Sequence, residues 1–361
     1  MKNRIEAVDL LRGFTIVAMI LVNTPGDWNH VYQPLLHAEW NGLTPTDLIF
    51  PFFLFIVGIS IYFSYKNKPN TVPTYRKITI RSLKLIGLGL FLNLFVPYLP
   101  FITNLSTFRI PGVLQRIGIV FLISSILYLN CKPRTLLFII VAILLSYSII
   151  LGWIPFTNGT LPSLDRAPNN WANYIDLKVF GQHMWQADYD PEGLLSTLPS
   201  IVSCVTGILI GKLLGGPTPL RYLTRAIVTL LATGYLLSIW IPINKALWSS
   251  SFVLVTCGWG SLILTIIYYI TDVRKLSFGS IFKQVGMNAI VIYFLSSLIS
   301  KSFYSIPIGE SHNVHSWLYQ KFFTFSSIPQ ELSSLLYALS VVLSYIALAH
   351  LLYKRKIFIK V

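Results

Sequence analysis

Long apolar stretches alternate with shorter polar connections along almost the whole chain. A helix that crosses a membrane needs about 20 mainly apolar residues. Ten stretches come close to this requirement, and they cover residues 7–24, 46–65, 78–98, 112–130, 135–153, 193–213, 222–241, 249–270, 282–301 and 331–353. The pattern predicts an all-α protein, a polytopic transmembrane helical bundle of about 10 spans that forms a single domain over residues 1–361.

Composition supports a membrane protein. Hydrophobic residues make up 54% of the chain and charged residues only 11%, whereas soluble domains carry about 25% charge. Such a chain cannot cover a water-facing surface, so the lipid bilayer is its expected partner. The first apolar stretch contains Asp9 and Arg12 and has no small-residue cleavage site, which favours a retained helix over a cleaved signal peptide.

The basic residues predict an orientation. The net charge is +15, from 28 Lys and Arg against 13 Asp and Glu. With the N-terminus inside, 21 of the 28 fall in inside segments, 6 fall outside, and Arg116 lies within a span. Because cytoplasmic loops are enriched in Lys and Arg, both termini are predicted to be cytoplasmic, in the cell (inner) membrane, with extracytoplasmic loops at about 24–45, 154–192 and 302–330. Topology explains the charge, and no nucleic-acid partner is expected.

Several kinds of site are disfavoured by the sequence. The three cysteines, Cys131, Cys204 and Cys257, are dispersed and form no disulfide framework or metal spacing. A Walker loop, a Rossmann glycine fingerprint and a Cys-x-x-Cys motif are all absent from the sequence. We therefore expect no metal site, and we disfavour an ATPase or a redox protein.

Polar residues follow one face of the first stretch. Asp9, Arg12 and Asn23 fall at helical spacings that place them on a common side. Charges within a membrane usually face a bundle interior or an aqueous path. A structural Asp9–Arg12 pair at the interface is the alternative. Asn23 comes last, at the predicted outer end.

A polar segment lies directly before the second stretch. It contains His37, Glu39, Trp40 and Asn41, and then the run Thr44-Pro-Thr-Asp47, which is typical of a helix start. Asp47 is interpreted as a capping carboxylate. A lone histidine is more often structural than catalytic, but His37 sits among polar groups in an outer loop, and histidine is the usual acid–base group near neutral pH. His37 is therefore our catalytic candidate.

Other polar residues interrupt apolar surroundings. Gln115 and Arg116 lie within the fourth stretch and Asn288 within the ninth, while Lys245 lies at the predicted outer face. The loop over residues 154–192 combines carboxylates with tryptophans, and it ends in Asp190 and Glu192 before the sixth stretch. Aromatic faces with carboxylates suit sugar binding, although interfacial tryptophans are expected in any membrane protein.

An ordered set of short runs resembles the heparan-α-glucosaminide N-acetyltransferase family. The runs cover residues 4–13, 22–23, 37–44, 50–51, 109–118, 189–193, 242–248 and 286–288. They span nearly the whole chain, which is shorter than the lysosomal members and resembles a bacterial relative.

The resemblance implies transfer of an acetyl group from cytosolic acetyl-CoA to the amine of a glucosamine-type sugar on the extracytoplasmic side. It assigns the active-site histidine to His37 and the nearby asparagine to Asn23. For acetyl-CoA we expect the basic loop 66–84 together with Arg12, Asp9, Gln115 and Arg116. For the sugar we expect Trp40, Asn41, Asp190, Glu192, Lys245 and Asn288.

Two alternatives stay open at this point. One is an amino-sugar permease, which a polar stripe across a membrane would also serve, although no internal repeat is evident. The other is an O-acetyltransferase acting on cell-envelope polysaccharide. Direct transfer and an acetyl-histidine intermediate are not distinguished by the sequence, and neither is a monomer from a homodimer.

Overall fold

The computed structural model describes residues 5–359 as a bundle of α-helices. Lys2, Arg4 and Lys360, which entered the charge count, lie outside the described residues. The helices in chain order are α1 Glu6–Asn23, α2 Ile49–Tyr65, α3 Val72–Leu94, α4 Val113–Asn130, α5 Pro133–Trp153, α6 Trp171–Phe180, α7 Thr197–Leu214, α8 Pro219–Leu237, α9 Ser250–Tyr268, α10 Ser280–Met287, α11 Ala289–Ser305, α12 Val314–Phe323 and α13 Gln330–Lys354. A two-stranded hairpin pairs β1 Pro307–Ile308 with β2 His312–Asn313.

The helical class is confirmed, since every predicted stretch is largely helical. By length and apolar composition, six helices of the described chain can cross a membrane, or seven if the bent pair α10–α11 counts as one span. The estimate of about ten is higher because it includes helices with several charges, such as α1 with Glu6, Asp9 and Arg12. The count of ten and the cytoplasmic termini stay predictions.

The ninth predicted stretch is not one straight helix. α10 and α11 meet at an angle of 80°, with Asn288 between them. Its side chain bonds to the backbone of Ile357 and Ile359, which lie about 70 positions further along the chain. Asn288, which was expected inside the ninth span, therefore lies at the break of this bent pair.

Glycines allow two helix pairs to pack closely. A Cβ atom at Gly58 of α2 would lie 1.9 Å from the Cys204 carbonyl oxygen of α7, and one at Gly286 of α10 would lie 2.1 Å from the Asp9 carbonyl oxygen of α1. Small residues at such crossings are typical of membrane bundles, where van der Waals packing drives association. These contacts fix α1 and α2, which carry the candidate site.

Candidate active site

Two cavities lie towards opposite ends of α1. The His37 cavity has a volume of about 300 Å³ and lies beside the C-terminal end of α1. Its polar and aromatic lining consists of Asn23, His37, Glu39, Trp40, Thr46, Asp47, Phe50, Arg109, Trp185, Tyr189, Glu192, Lys245 and Tyr293. The Arg12 cavity has a volume of about 520 Å³ and lies beside the N-terminal half of α1.

His37 forms a dyad with Asp47. The His37 Nδ1 atom lies 2.7 Å from Asp47 Oδ1. The His37 side chain is 48% exposed, whereas that of Asp47 is 1% exposed. With Asp47 ionised, Nδ1 donates the hydrogen, and the lone pair of the imidazole is then on Nε2. A histidine in this tautomer can accept a proton from a group bound in the cavity.

Asp47 also caps the helix that it begins. Thr44 and Asp47 form a capping box at the short 3₁₀ turn Pro45–Leu48 that leads into α2. Asp47 Oδ2 accepts the backbone N–H groups of Ala38 and Thr44, each at 3.1 Å. The predicted cap is confirmed, and the same carboxylate also orients His37. Because the carboxylate accepts from the backbone at both Ala38 and Thr44, its side chain has little freedom to move.

Lys245 approaches the dyad from the connection between α8 and α9. Its Nζ atom lies 3.0 Å from His37 Nδ1, 3.1 Å from Nε2 and 3.8 Å from Asp47 Oδ1. Burial lowers the pKa of Lys245, and the carboxylates of Asp47 and Glu192 only partly offset this effect. The site therefore combines an imidazole, a carboxylate and an amine within hydrogen-bonding reach.

An ion-pair network forms another wall of the His37 cavity. Arg109 donates from Nε to Asp190 Oδ2 at 2.8 Å and also donates to Glu192. Burial alone would lower the pKa of Arg109, but Glu192 and Asp190 outweigh it and raise the pKa above its usual range. Asp190 also accepts the backbone N–H of Trp185 at 2.8 Å. Arg109 was not singled out from the sequence, although the family-like run 109–118 begins with it.

Aromatic side chains enclose the same space. Trp40 meets Tyr189 edge-on, with ring centroids 5.4 Å apart, and its Nε1 donates to the Leu164 carbonyl at 2.9 Å. The Arg109 guanidinium lies 5.2 Å from the Trp185 ring centroid. Tyr189 and Tyr293 were not singled out from the sequence, although the family-like run 189–193 begins with Tyr189.

Only some of the predicted sugar-binding residues line the His37 cavity. Trp40, Glu192 and Lys245 line the His37 cavity together with Asn23. Two others are not lining residues: Asn41 Oδ1 accepts from Asn244 Nδ2 at 3.0 Å, and Asp190 pairs with the lining residue Arg109. Asn288 does not line the His37 cavity, because it lies in the break between α10 and α11.

The Arg12 cavity is cationic. Arg12, Lys68 and Arg81 line it, and the described lining includes no carboxylate. Arg12 donates to Ser60 Oγ at 2.6 Å and to Asp9 at 3.0 Å, so Asp9 and Arg12 do form the pair considered above. Arg81 Nε is buried without a hydrogen-bond partner. Three cations around a cavity without a lining acid suit a polyanionic ligand.

Gln115 and Arg116 line neither the Arg12 cavity nor the His37 cavity. Gln115 Nε2 donates to the Ile110 carbonyl at 3.0 Å. Arg116 donates to the Gly193 carbonyl at 2.9 Å and to Ser196 Oγ. A buried arginine is a reasonable functional candidate in a membrane, but here its visible bonds hold α4 to the start of α7.

The two cavities lie on successive turns of shared helices. Along α2, Phe50 lines the His37 cavity and Phe53 the Arg12 cavity. Val113 and Ile117 do the same on α4, and Tyr293 and Ile290 on α11. A helical turn is about 5.4 Å, so a long, thin ligand bound in one cavity has only a short distance to reach the other.

The described residues were also compared with the ligand sets of metal sites. Within residues 5–359, no group of three or more His, Cys, Asp or Glu side chains is placed to hold a metal ion.

Comparison with known proteins gives a consistent result. The model of a family described as heparan-alpha-glucosaminide N-acetyltransferase, catalytic, matches residues 4–215. The proteins named heparan-alpha-glucosaminide N-acetyltransferase from Mus musculus and Homo sapiens are each 29% identical to the chain over 99% of its length. The chain spans 61% and 60% of those two proteins, respectively.

Proposed function

The chain belongs to the heparan-alpha-glucosaminide N-acetyltransferase catalytic family, and on this premise we propose that it is a transmembrane N-acetyltransferase. It moves an acetyl group from cytosolic acetyl-CoA to the amine of a glucosamine-type sugar on the extracytoplasmic side. The observation that carries this proposal is the pair of cavities on shared helices, one cationic and one built around a His–Asp dyad.

The donor occupies the Arg12 cavity. Arg12, Lys68 and Arg81 face the phosphates of the nucleotide, and the thiol arm extends between α2, α4 and α11 towards His37. The Lys and Arg distribution supports a cytoplasmic position for this end of the bundle. About ten spans, both termini inside and one domain over residues 1–361 complete the arrangement.

The acceptor occupies the His37 cavity. Its amine attacks the thioester carbon and the C–N bond forms while His37 Nε2 takes the amine proton. The C–S bond then breaks, and His37 returns that proton to the sulfur, so that CoA leaves as the thiol. Asn23 donates to the oxyanion that develops on the carbonyl, an effect of a few kcal/mol. Trp40, Trp185 and Tyr189 pack against the sugar, and Glu192 accepts from its hydroxyls.

A direct assay tests this function. The purified protein receives acetyl-CoA with glucosamine, and free CoA and N-acetylglucosamine are measured. Acetyl-CoA-dependent formation of both products supports the proposal. Release of CoA only with a hydroxyl-bearing polysaccharide would make it an O-acetyltransferase, and uptake of labelled sugar into proteoliposomes without any donor would make it a permease.

A further inference from the structure

The break between α10 and α11 holds the C-terminal segment in place. Asn288 is 1% exposed. Its Nδ2 donates to the Ile357 carbonyl at 3.0 Å, and its Oδ1 accepts the N–H of Ile359 at 3.0 Å. One amide side chain thus bonds both a carbonyl group and an N–H group of residues 357–359.

The bonded segment forms part of the Arg12 cavity. Ile359 lines this cavity together with Met287, Ala289 and Ile290, which flank Asn288 in sequence. Three cations, Lys354, Arg355 and Lys356, directly precede the bonded residues. Positive charge therefore lies close in sequence to Ile359, a lining residue of a cavity that is already cationic.

Apolar burial holds this segment only weakly. Ile357, Phe358 and Ile359 remain 40%, 39% and 49% exposed, respectively. The bent α10–α11 pair is itself held firmly, because Gly286 packs against the backbone of α1. The backbone N–H groups of Arg355, Lys356 and Ile357 bond back to α13. Beyond them, the two hydrogen bonds from Asn288 join residues 357–359 to a rigid element.

We propose that Asn288 is a positioning residue that holds residues 357–359, keeps Ile359 in the lining of the Arg12 cavity and so sets the affinity for CoA. This inference rests on the proposed function, since it takes the ligand of that cavity to be the donor. It gives Asn288 a role at the donor cavity in place of the sugar-binding role expected from the sequence.

The test compares Asn288→Ala with Gln284→Ala. Gln284 Oε1 lies 2.9 Å from His350 Nδ1, so the control also removes a polar contact made by α10 but leaves the C-terminal segment in place. Calorimetry measures CoA binding to the detergent-purified protein. Loss of two hydrogen bonds is expected to weaken CoA binding about tenfold in Asn288→Ala, with no change in Gln284→Ala.

Two further measurements distinguish a loss of positioning at the Arg12 cavity from a general loss of structure. In Asn288→Ala the KM for acetyl-CoA rises, while the KM for the sugar and kcat change little. Trypsin cleaves after Lys354, Arg355 and Lys356, and CoA protects these bonds in the unaltered protein but not in Asn288→Ala. A chain truncated after Arg355 keeps Asn288 and serves as the second variant, with the same expected loss of CoA affinity.

The outcomes are distinguishable. If the unaltered protein does not bind CoA, the proposed function fails. If it binds CoA and either Asn288→Ala or the truncated chain binds equally well, the positioning role is wrong. Equal KM increases for acetyl-CoA and sugar would also contradict it.

Discussion

At the scale of single residues, Asp47 combines two tasks. As a cap it satisfies backbone N–H groups at the start of α2, and as a partner of His37 it sets which imidazole nitrogen carries the hydrogen. The structure does not support treating these as alternatives. A carboxylate has two oxygens, and here Oδ1 faces His37 while Oδ2 faces the backbone.

Replacement of His37 tests its role as the general base. His37→Ala is expected to lower kcat on the order of 10²–10⁴-fold, because proton removal from the amine loses its acceptor. His30→Ala is the matched control. His30 also pairs with an aspartate, with Nδ1 2.7 Å from Asp27 Oδ2, but it does not line the His37 cavity. Acetyl transfer at the normal rate in His37→Ala would remove His37 from the mechanism.

At the scale of elements, the close contact between α2 and α7 depends on glycines, which have no side chain to separate the helices. A Cβ atom at Gly207 of α7 would lie 2.1 Å from the Phe55 carbonyl oxygen. Gly207→Ala is therefore expected to destabilise the protein by about 1–3 kcal/mol, as overpacking does.

The control for this substitution is Gly152→Ala in α5, where a Cβ atom meets nothing within 4 Å. That change is expected to be neutral or slightly stabilising, because alanine favours helix over glycine. Thermal unfolding in detergent measures both variants. Equal melting temperatures for the two would show that the crossing tolerates a methyl group.

Asp176 links α6 to the residues that precede α7, and it makes the stability of the protein depend on pH. Asp176 Oδ1 accepts the N–H of Leu194 at 2.7 Å. Burial, together with the nearby charge of Asp190, raises the pKa of Asp176 to about 7. In the unfolded chain an aspartate has a pKa of about 4. Between these values the folded protein binds a proton that the unfolded chain has lost, so this contribution to stability falls as pH rises from about 4 to about 7.

Melting temperatures across this range test the effect. Asp176→Asn cannot ionise, so its melting temperature is expected to fall less steeply between about pH 4 and pH 7 than that of the unaltered protein. An identical slope in both proteins would mean that Asp176 ionises normally when folded.

At the scale of the whole molecule, the charge distribution predicts which loops face the cytoplasm. Thr157 and Thr218 are both exposed and lie in connections that the topology places on opposite sides. In intact cells, a membrane-impermeant maleimide is expected to modify Thr157→Cys and to spare Thr218→Cys until the membrane is permeabilised. Both substitutions are made with Cys131 replaced by serine. The reverse labelling pattern would invert the proposed orientation.

The sequence by itself determined the helical class, the membrane character and the candidate catalytic pair. Apolar stretches of spanning length, sparse charge and the cap at Thr44–Asp47 are local properties, so they are visible without coordinates. His37 was proposed from its polar outer loop, and the family resemblance added Asn23 as its partner; both line one cavity.

Only the tertiary structure decided which polar residues share a cavity. Lys245 reaches His37 across 208 positions of the chain, Arg109 reaches Asp190 across 81, and Asn288 turned out to hold the C-terminal segment. Arg116 faces α7 instead of a cavity. The physical reason is that a side chain's partner depends on how helices cross, and helix crossings are set by packing between elements distant in sequence.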